Sequence, residues 1–120
     1  MTSRIRFIEY EGKQIVLVDL SQCSAREVEK IIREVPEVVT VLARRSVLIL
    51  ADFTGASFDE DAVRAMKEAA VFDKPYIKKT AWVGAESFPE AFAESLKDFS
   101  RREFPAFESR EEALTWLARD

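Results

Sequence analysis

A chain of 120 residues that is 48% hydrophobic and 33% charged has the size and composition of one globular domain with one core, and nine Phe with two Trp supply bulk for it. A net charge of −4 argues against non-specific nucleic-acid binding, which needs a broad basic surface rather than the two short clusters Arg44-Arg45 and Arg101-Arg102. With no His and a single Cys, the chain holds no His general base, no Ser-His-Asp or Cys-His nucleophile, no His or thiolate zinc site and no internal disulfide.

Arg4 to Tyr10 partly alternates, then passes through the turn signal Glu11-Gly12-Lys13 into the apolar run Ile15-Val16-Leu17-Val18. This predicts a β-hairpin whose first strand suits a sheet edge and whose second, apolar on both faces, suits the interior. Ser24-Ala25-Arg26-Glu27 has capping-box spacing, and Val28, Ile31, Ile32 and Val35 recur at helical intervals, so an amphipathic helix follows that Pro36 ends or distorts near residue 35. Ser46 to Asp52 reads as another interior strand. Ser57-Phe58-Asp59-Glu60 repeats the capping pattern and opens a helix with Ala62, Ala65, Met66, Ala69 and Phe72 as its buried stripe, stopped by Lys74-Pro75.

From Ile77 to Val83 a strand is expected with Ile77, Lys79, Ala81 and Val83 on one face and Lys78, Thr80 and Trp82 on the other, broken by Gly84. Ser87-Phe88-Pro89-Glu90 opens a third helix carrying Ala91, Phe92, Leu96 and Phe99. Phe104 to Phe107 is a short strand that Pro105 confines to an edge, and Ser109-Arg110-Glu111-Glu112 caps a last helix with Ala113, Leu114, Trp116 and Leu117. The order ββαβαβαβα predicts one α/β domain over residues 1–120, with a mixed, mostly parallel five-stranded sheet, an antiparallel N-terminal hairpin and four helices. No stretch approaches the ~18 apolar residues of a membrane span, and Met1 to Tyr10 lacks a signal-type apolar run, so a cytoplasmic protein is expected.

Four short motifs stand in order along most of the chain: Asp52-Phe53-Thr54-Gly55, Lys74-Pro75-Tyr76, Trp82-Val83-Gly84, and Phe104 to Phe107 followed by Arg110-Glu111-Glu112-Ala113-Leu114 and Trp116-Leu117. In this arrangement the sequence resembles the SpoIIAA-like branch of the STAS-like superfamily, whose best-known members are anti-sigma-factor antagonists. The resemblance implies strands in near-sequential order, helices packed mainly on one face, and a regulatory or protein-interaction role without enzymatic activity. In the antagonist branch the helix after the loop begins with a phosphorylatable Ser. Here the same stretch is Asp59-Glu60-Asp61-Ala62, with Asp61 near the phosphoserine position, so the helix start at Ser57, Asp59 and Asp61 is a candidate regulatory element carrying fixed charge.

Ligands of parallel α/β sheets bind beyond the carboxyl ends of the strands. That rule gathers Asp19, Leu20, Ser21, Asp52, Phe53, Thr54, Gly55 and Gly84 into one candidate ligand site. Asp19 and Asp52 are expected either to form a carboxylate pair that holds a cation or shares a proton, or each to cap a turn or pair with Lys or Arg. Tyr76, Lys78 and Trp82 are the candidate interface, with Trp82 on a sheet face that self-association or a partner protein would cover. Cys23, just before a helix cap, has the position of an activated thiol but no partner for catalysis. No catalytic residue, metal or cofactor is assigned. The alternative to an interaction module, a carrier of a small apolar or anionic lipid-like ligand, requires an apolar pocket of roughly 300 Å3 or more.

Overall fold

Glu11 and Gly12 both take positive φ, 50° and 81°, and this two-residue turn matches the twist of the strands that it joins. It pairs β1 (Ile5–Tyr10) with β2 (Lys13–Asp19) antiparallel, from Ile5 opposite Val18 to Tyr10 opposite Lys13. The computed structural model describes residues 4–119; Met1 to Ser3 and Asp120, the extremes of the expected domain, lie outside them. After the hairpin come α1 (Ala25–Val39), β3 (Val47–Asp52), α2 (Glu60–Asp73), β4 (Ile77–Val83), α3 (Glu90–Ser100), β5 (Ala106–Phe107) and α4 (Arg110–Ala118). One sheet carries the strands in the order β1-β2-β3-β4-β5, with every pair after the first parallel. This is the expected α/β architecture.

Each interior strand is apolar on both sides because each side meets helices. Val16, Val18, Val47, Ile49, Ala51 and Trp82 pack under α1, α2 and α3. On the opposite face, Ile15, Leu17, Leu48, Leu50, Ala81 and Val83 pack under Ala113 and Leu117 of α4, with Leu114 and Trp116 alongside. Three helices therefore share one face and the last helix covers the other.

Trp82 is corrected by this arrangement. Val47 lies opposite Ile77 but Leu48 opposite Lys79, so Lys78 is an extra residue in β4 and the strand does not alternate simply. The bulge moves Ile77 onto the three-helix face beside Thr80 and Trp82, while Lys79, Ala81 and Val83 face α4 as alternation predicts; Trp82 is core because that face is covered by three helices. Trp82 is only 6% exposed, within 5.0 Å of the Phe53 ring edge and stacked on Phe104 at 4.8 Å, so it is core rather than a surface left for a partner.

Other boundaries shift for local reasons. α1 runs through Pro36 to Val39, and Thr40 closes it by donating to the Pro36 carbonyl, because Val35 and Val39 bury on the same stripe and packing overrides the lost amide. The cap of α2 is Asp59, whose Oδ1 accepts from the Ala62 amide at 2.8 Å, not Ser57. Ser87 closes a 3-10 turn, and α3 starts after Pro89 without a side-chain cap. Ser24 and Ser109 do cap their helices, Ser24 in a full capping box with Glu27. Phe72 and Phe99, expected in buried stripes, sit in the last turns of α2 and α3 and are 63% and 58% exposed.

Cover of the second sheet face by one short helix gives a direct expectation. Leu117→Ala removes a side chain that is 1% exposed and should cost about 2–5 kcal/mol, read as a lowered urea midpoint. A loss under about 0.5 kcal/mol would show that α4 does not seal this face.

Candidate functional site

Asp19 and Asp52 end neighbouring strands and stand opposite one another in the β2–β3 register. Both point to the α4 face, and both repeat one local motif. Asp19 Oδ1 accepts from the Ser21 amide at 3.1 Å and the Ser21 hydroxyl at 2.6 Å. Asp52 Oδ1 accepts from the Thr54 amide at 2.9 Å and the Thr54 hydroxyl at 2.6 Å. A short acceptor side chain that bonds two residues ahead turns the chain sharply where the strand stops.

Arg110, the first residue of α4, reaches both carboxylates. Its Nε donates to Asp52 Oδ2 at 2.7 Å, and its Nη2 lies 3.3 Å from Asp19 Oδ1. Arg4 adds a second guanidinium, with Nη1 3.6 Å from Asp19 Oδ1 and donating to the Ser21 carbonyl at 2.8 Å. Two carboxylates thus meet two guanidinium groups. The pairing with Arg and the turn-capping roles both hold, and the seat between the carboxylates is filled by Arg110.

The charges are tuned accordingly. Burial alone would raise Asp19, but the Ser21 hydroxyl and amide, and then Arg110 and Arg4, outweigh it and hold the carboxyl below its ordinary value. Burial would lower Arg110, yet its bond to Asp52 and the charges of both carboxylates leave it raised. The arrangement ties α4 to the ends of two strands through ion-paired hydrogen bonds.

Around this lock, Thr54 and Gly55 form an exposed loop. Gly55 takes φ 71° and donates its amide to Ser87 Oγ at 3.2 Å. Gly84 takes φ 72°, and a Cβ there would fall 2.5 Å from the Thr54 amide nitrogen, so only glycine lets the β3 and β4 loops touch. Asp19, Ser21, Asp52, Thr54, Gly55 and Gly84 therefore gather as expected, joined by Ser87. Phe53 does not belong with them: at 1% exposure it turns inward against Phe58, Trp82 and Phe88. Nearby, Ser57 is exposed and its amide donates to the Cys23 carbonyl, Asp59 caps α2, and Asp61 pairs with Arg64 at 3.6 Å in the solvent. Cys23 is buried, and burial pushes its thiol up rather than activating it.

The remaining two interface candidates lie at the other end of the sheet. Tyr76 is half-buried under the Arg44 guanidinium, 5.9 Å from its ring centroid, and Lys78 is exposed.

A second polar group has no sequence signature. Asp73, the last residue of α2, is 3% exposed, and its Oδ1 has no hydrogen-bond partner among the described residues. Arg102 lies beside it, donating from Nη1 to the Ala70 carbonyl at 3.0 Å and from Nη2 to Thr80 Oγ1 at 2.6 Å. Burial pushes Asp73 up to about 7 against the pull of Arg102, and burial likewise lowers Arg102. Asp73, Thr80 and Arg102 form the polar side of a pocket of about 70 Å3, otherwise lined by apolar groups such as Met66, Trp82 and Leu96.

Two expectations follow from these charges. Arg110→Met should lower stability at pH 7 by about 2 kcal/mol, less than the loss of a fully buried pair because the guanidinium is partly in water. The deficit should shrink as pH falls through the depressed Asp19 value and the carboxylate takes up its proton; urea midpoints at pH 7 and about pH 3 measure both. For Asp73 the sign is opposite. Its folded value is raised from 3.8 to about 7, so its stabilising contribution is whole below the unfolded value and is lost as pH rises through about 7. Asp73→Asn should abolish that decline in melting temperature between about pH 5 and pH 8 and make the variant the more stable protein at the upper end.

Among the described residues no helix is long and apolar enough to cross a membrane, and no group of three or more His, Cys, Asp or Glu side chains could hold a metal ion. A search of the curated proteins finds no match. Two solved structures share the fold. An uncharacterized DUF3478-family protein with a SpoIIAA-like fold from Shewanella loihica PV-4 superposes with a TM-score of 0.68 at 16% identity, covering 95% of this chain and 92% of that one. An anti-sigma-factor antagonist (STAS) domain protein from Planctomyces limnophilus gives a TM-score of 0.61 at 17% identity, covering 96% and 98%. The SpoIIAA-like family model matches residues 8–118, and the chain belongs to the SpoIIAA-like family.

Proposed function

We propose that this chain is a cytoplasmic, non-enzymatic regulatory module that binds a protein partner or a second copy of itself. The observation that carries the reading is the surface at the amino-terminal end of the parallel strands. Because α1, α2 and α3 each return the chain from one parallel strand to the next, their last turns lie together at that end. Phe72 and Val71 of α2, Phe99 of α3 and Val41 just past α1 are exposed there by 63%, 46%, 58% and 79%. Cations accompany them: Arg45, Lys74 and Lys78 line a groove with Val71, Arg33 lines one with Phe72, and Lys67 lies 5.8 Å over the Phe99 ring. Aromatic groups ringed by charge favour contact with another protein over isolation in water.

At the opposite end, the groups that would do acid–base chemistry are engaged with Arg110 and Arg4, which supports a non-catalytic role. The lipid-carrier reading ranks second, since the apolar pocket beneath α2 and α3 has about 70 Å3 against the roughly 300 Å3 that a ligand of such size needs.

Light scattering on a size-exclusion column across a range of concentrations tests the reading, with native mass spectrometry of the same peak. Self-association that weakens on Phe72→Glu with Phe99→Glu is the expected result. A strict monomer that retains no protein partner would overturn it, and a monomer carrying extra small-molecule mass would move the assignment to the carrier.

A further inference from the structure

β5 pairs with Trp82 and Val83, so among the described residues Ile77 to Ala81 of β4 have no strand on their outer side. Beside this bare edge runs an open groove of about 780 Å3, with Ile77, Pro105 and Trp116 among its apolar members. Its charged members are Arg45, Lys74, Lys78, Lys79 and Arg102 against a single acid, Glu103, in a protein whose net charge is −4.

Lysines along an edge ordinarily keep other strands away. Two of these are drawn aside. Lys74 Nζ donates to the carbonyls of Ser100 and Arg101 at the end of α3, both at 3.3 Å. Lys79 Nζ donates to the carbonyls of Trp116 at 3.1 Å and Arg119 at 2.6 Å at the end of α4, and lies 4.8 Å over the Trp116 ring. Each ammonium group meets the negative end of a helix, where a cation is favoured. The positive charge stays along the groove while the aliphatic stems flank the edge.

We propose that this groove docks an extended acidic segment of a partner protein, its backbone laid along β4 at Lys79 and Thr80, past the bulge, and its carboxylates held by Lys78 and Arg45. The assignment rests on the interaction-module reading and names the chemistry of the partner. Pairing with a bare edge gives an extended peptide its affinity, and alternating side chains choose between apolar floor and cationic rim. A polynucleotide suits the site less well, because the groove is short, partly apolar and set in a chain that repels a long polyanion beyond it.

The test uses a fluorescein-labelled octapeptide alternating Glu and Val, and its counterpart with Gln for Glu, in anisotropy titrations at about 50 and 300 mM salt. Saturable binding of the Glu peptide is expected, weaker at the higher salt and weakened about tenfold by Lys78→Glu, whose exposed side chain is not needed for folding. Lys30→Glu, the same charge change on the outside of α1, should leave binding unchanged. Equal binding of the Gln peptide, no effect of Lys78→Glu, no saturable binding, or a single-stranded oligonucleotide that outcompetes the peptide would each overturn the groove assignment. If the peptide fails while the protein still self-associates, only the groove falls. If both fail, so does the interaction-module reading.

Discussion

Arg110 holds the two halves of the molecule together. A sheet with apolar residues on both faces is stable only when both are covered, and here the second cover is a single nine-residue helix. Leu117 and Ala113 supply its apolar contact, while the guanidinium at its first residue clamps it to the ends of β2 and β3. The clamp also disposes of two neighbouring carboxylates that would otherwise repel each other at the carboxyl edge of the sheet. One side chain thus ties this cover to the sheet and occupies the space between the two carboxylates.

The two ends of the strands carry different polar groups. At the carboxyl end of the strands lie Asp19, Asp52, Asp59, Glu60 and Asp61, with Arg110 and Arg4 engaged among the first two. At the amino end lie Arg44, Arg45, Lys74, Lys78 and Arg101 with Glu11 and Glu103, and exposed Phe72 and Phe99 stand in the last turns of α2 and α3. The aromatic cluster of Phe53, Trp82, Phe88 and Phe104 lies between the ends and fixes the loops and α3 against the sheet, with rings 4.8 to 5.6 Å apart in the pairs that join them.

The Asp73–Arg102 pair shows what this packing costs. Arg102 anchors the segment after α3 by reaching the end of α2 and Thr80 of β4, and it sits over Phe104 at 5.0 Å. Its buried counter-charge keeps one oxygen unbonded, so the acid shifts toward its neutral form. Thr80 and Arg102 border both the interior pocket and the cationic groove, whereas Asp73 borders the pocket alone.

Local information in the chain was enough for the elements and the family. Runs that are apolar on both faces name interior strands, helical spacing names the stripes of α1 and α4, Ser24 and Ser109 mark their starts, and the Asp-x-Thr-Gly and Asp-x-Ser turns follow from side chains that bond two residues ahead. Tertiary structure alone decided what joins distant residues. It settled that Arg110 lies between carboxylates 58 and 91 positions away, that Arg44-Arg45 and Arg101-Arg102 share one end, and that the sheet face carrying Trp82 is the one that α1, α2 and α3 cover. Periodicity assigns a residue to a face without saying what covers that face, and it carries no term for charges that meet through space. The first limit hid Trp82, and the second hid the clamp.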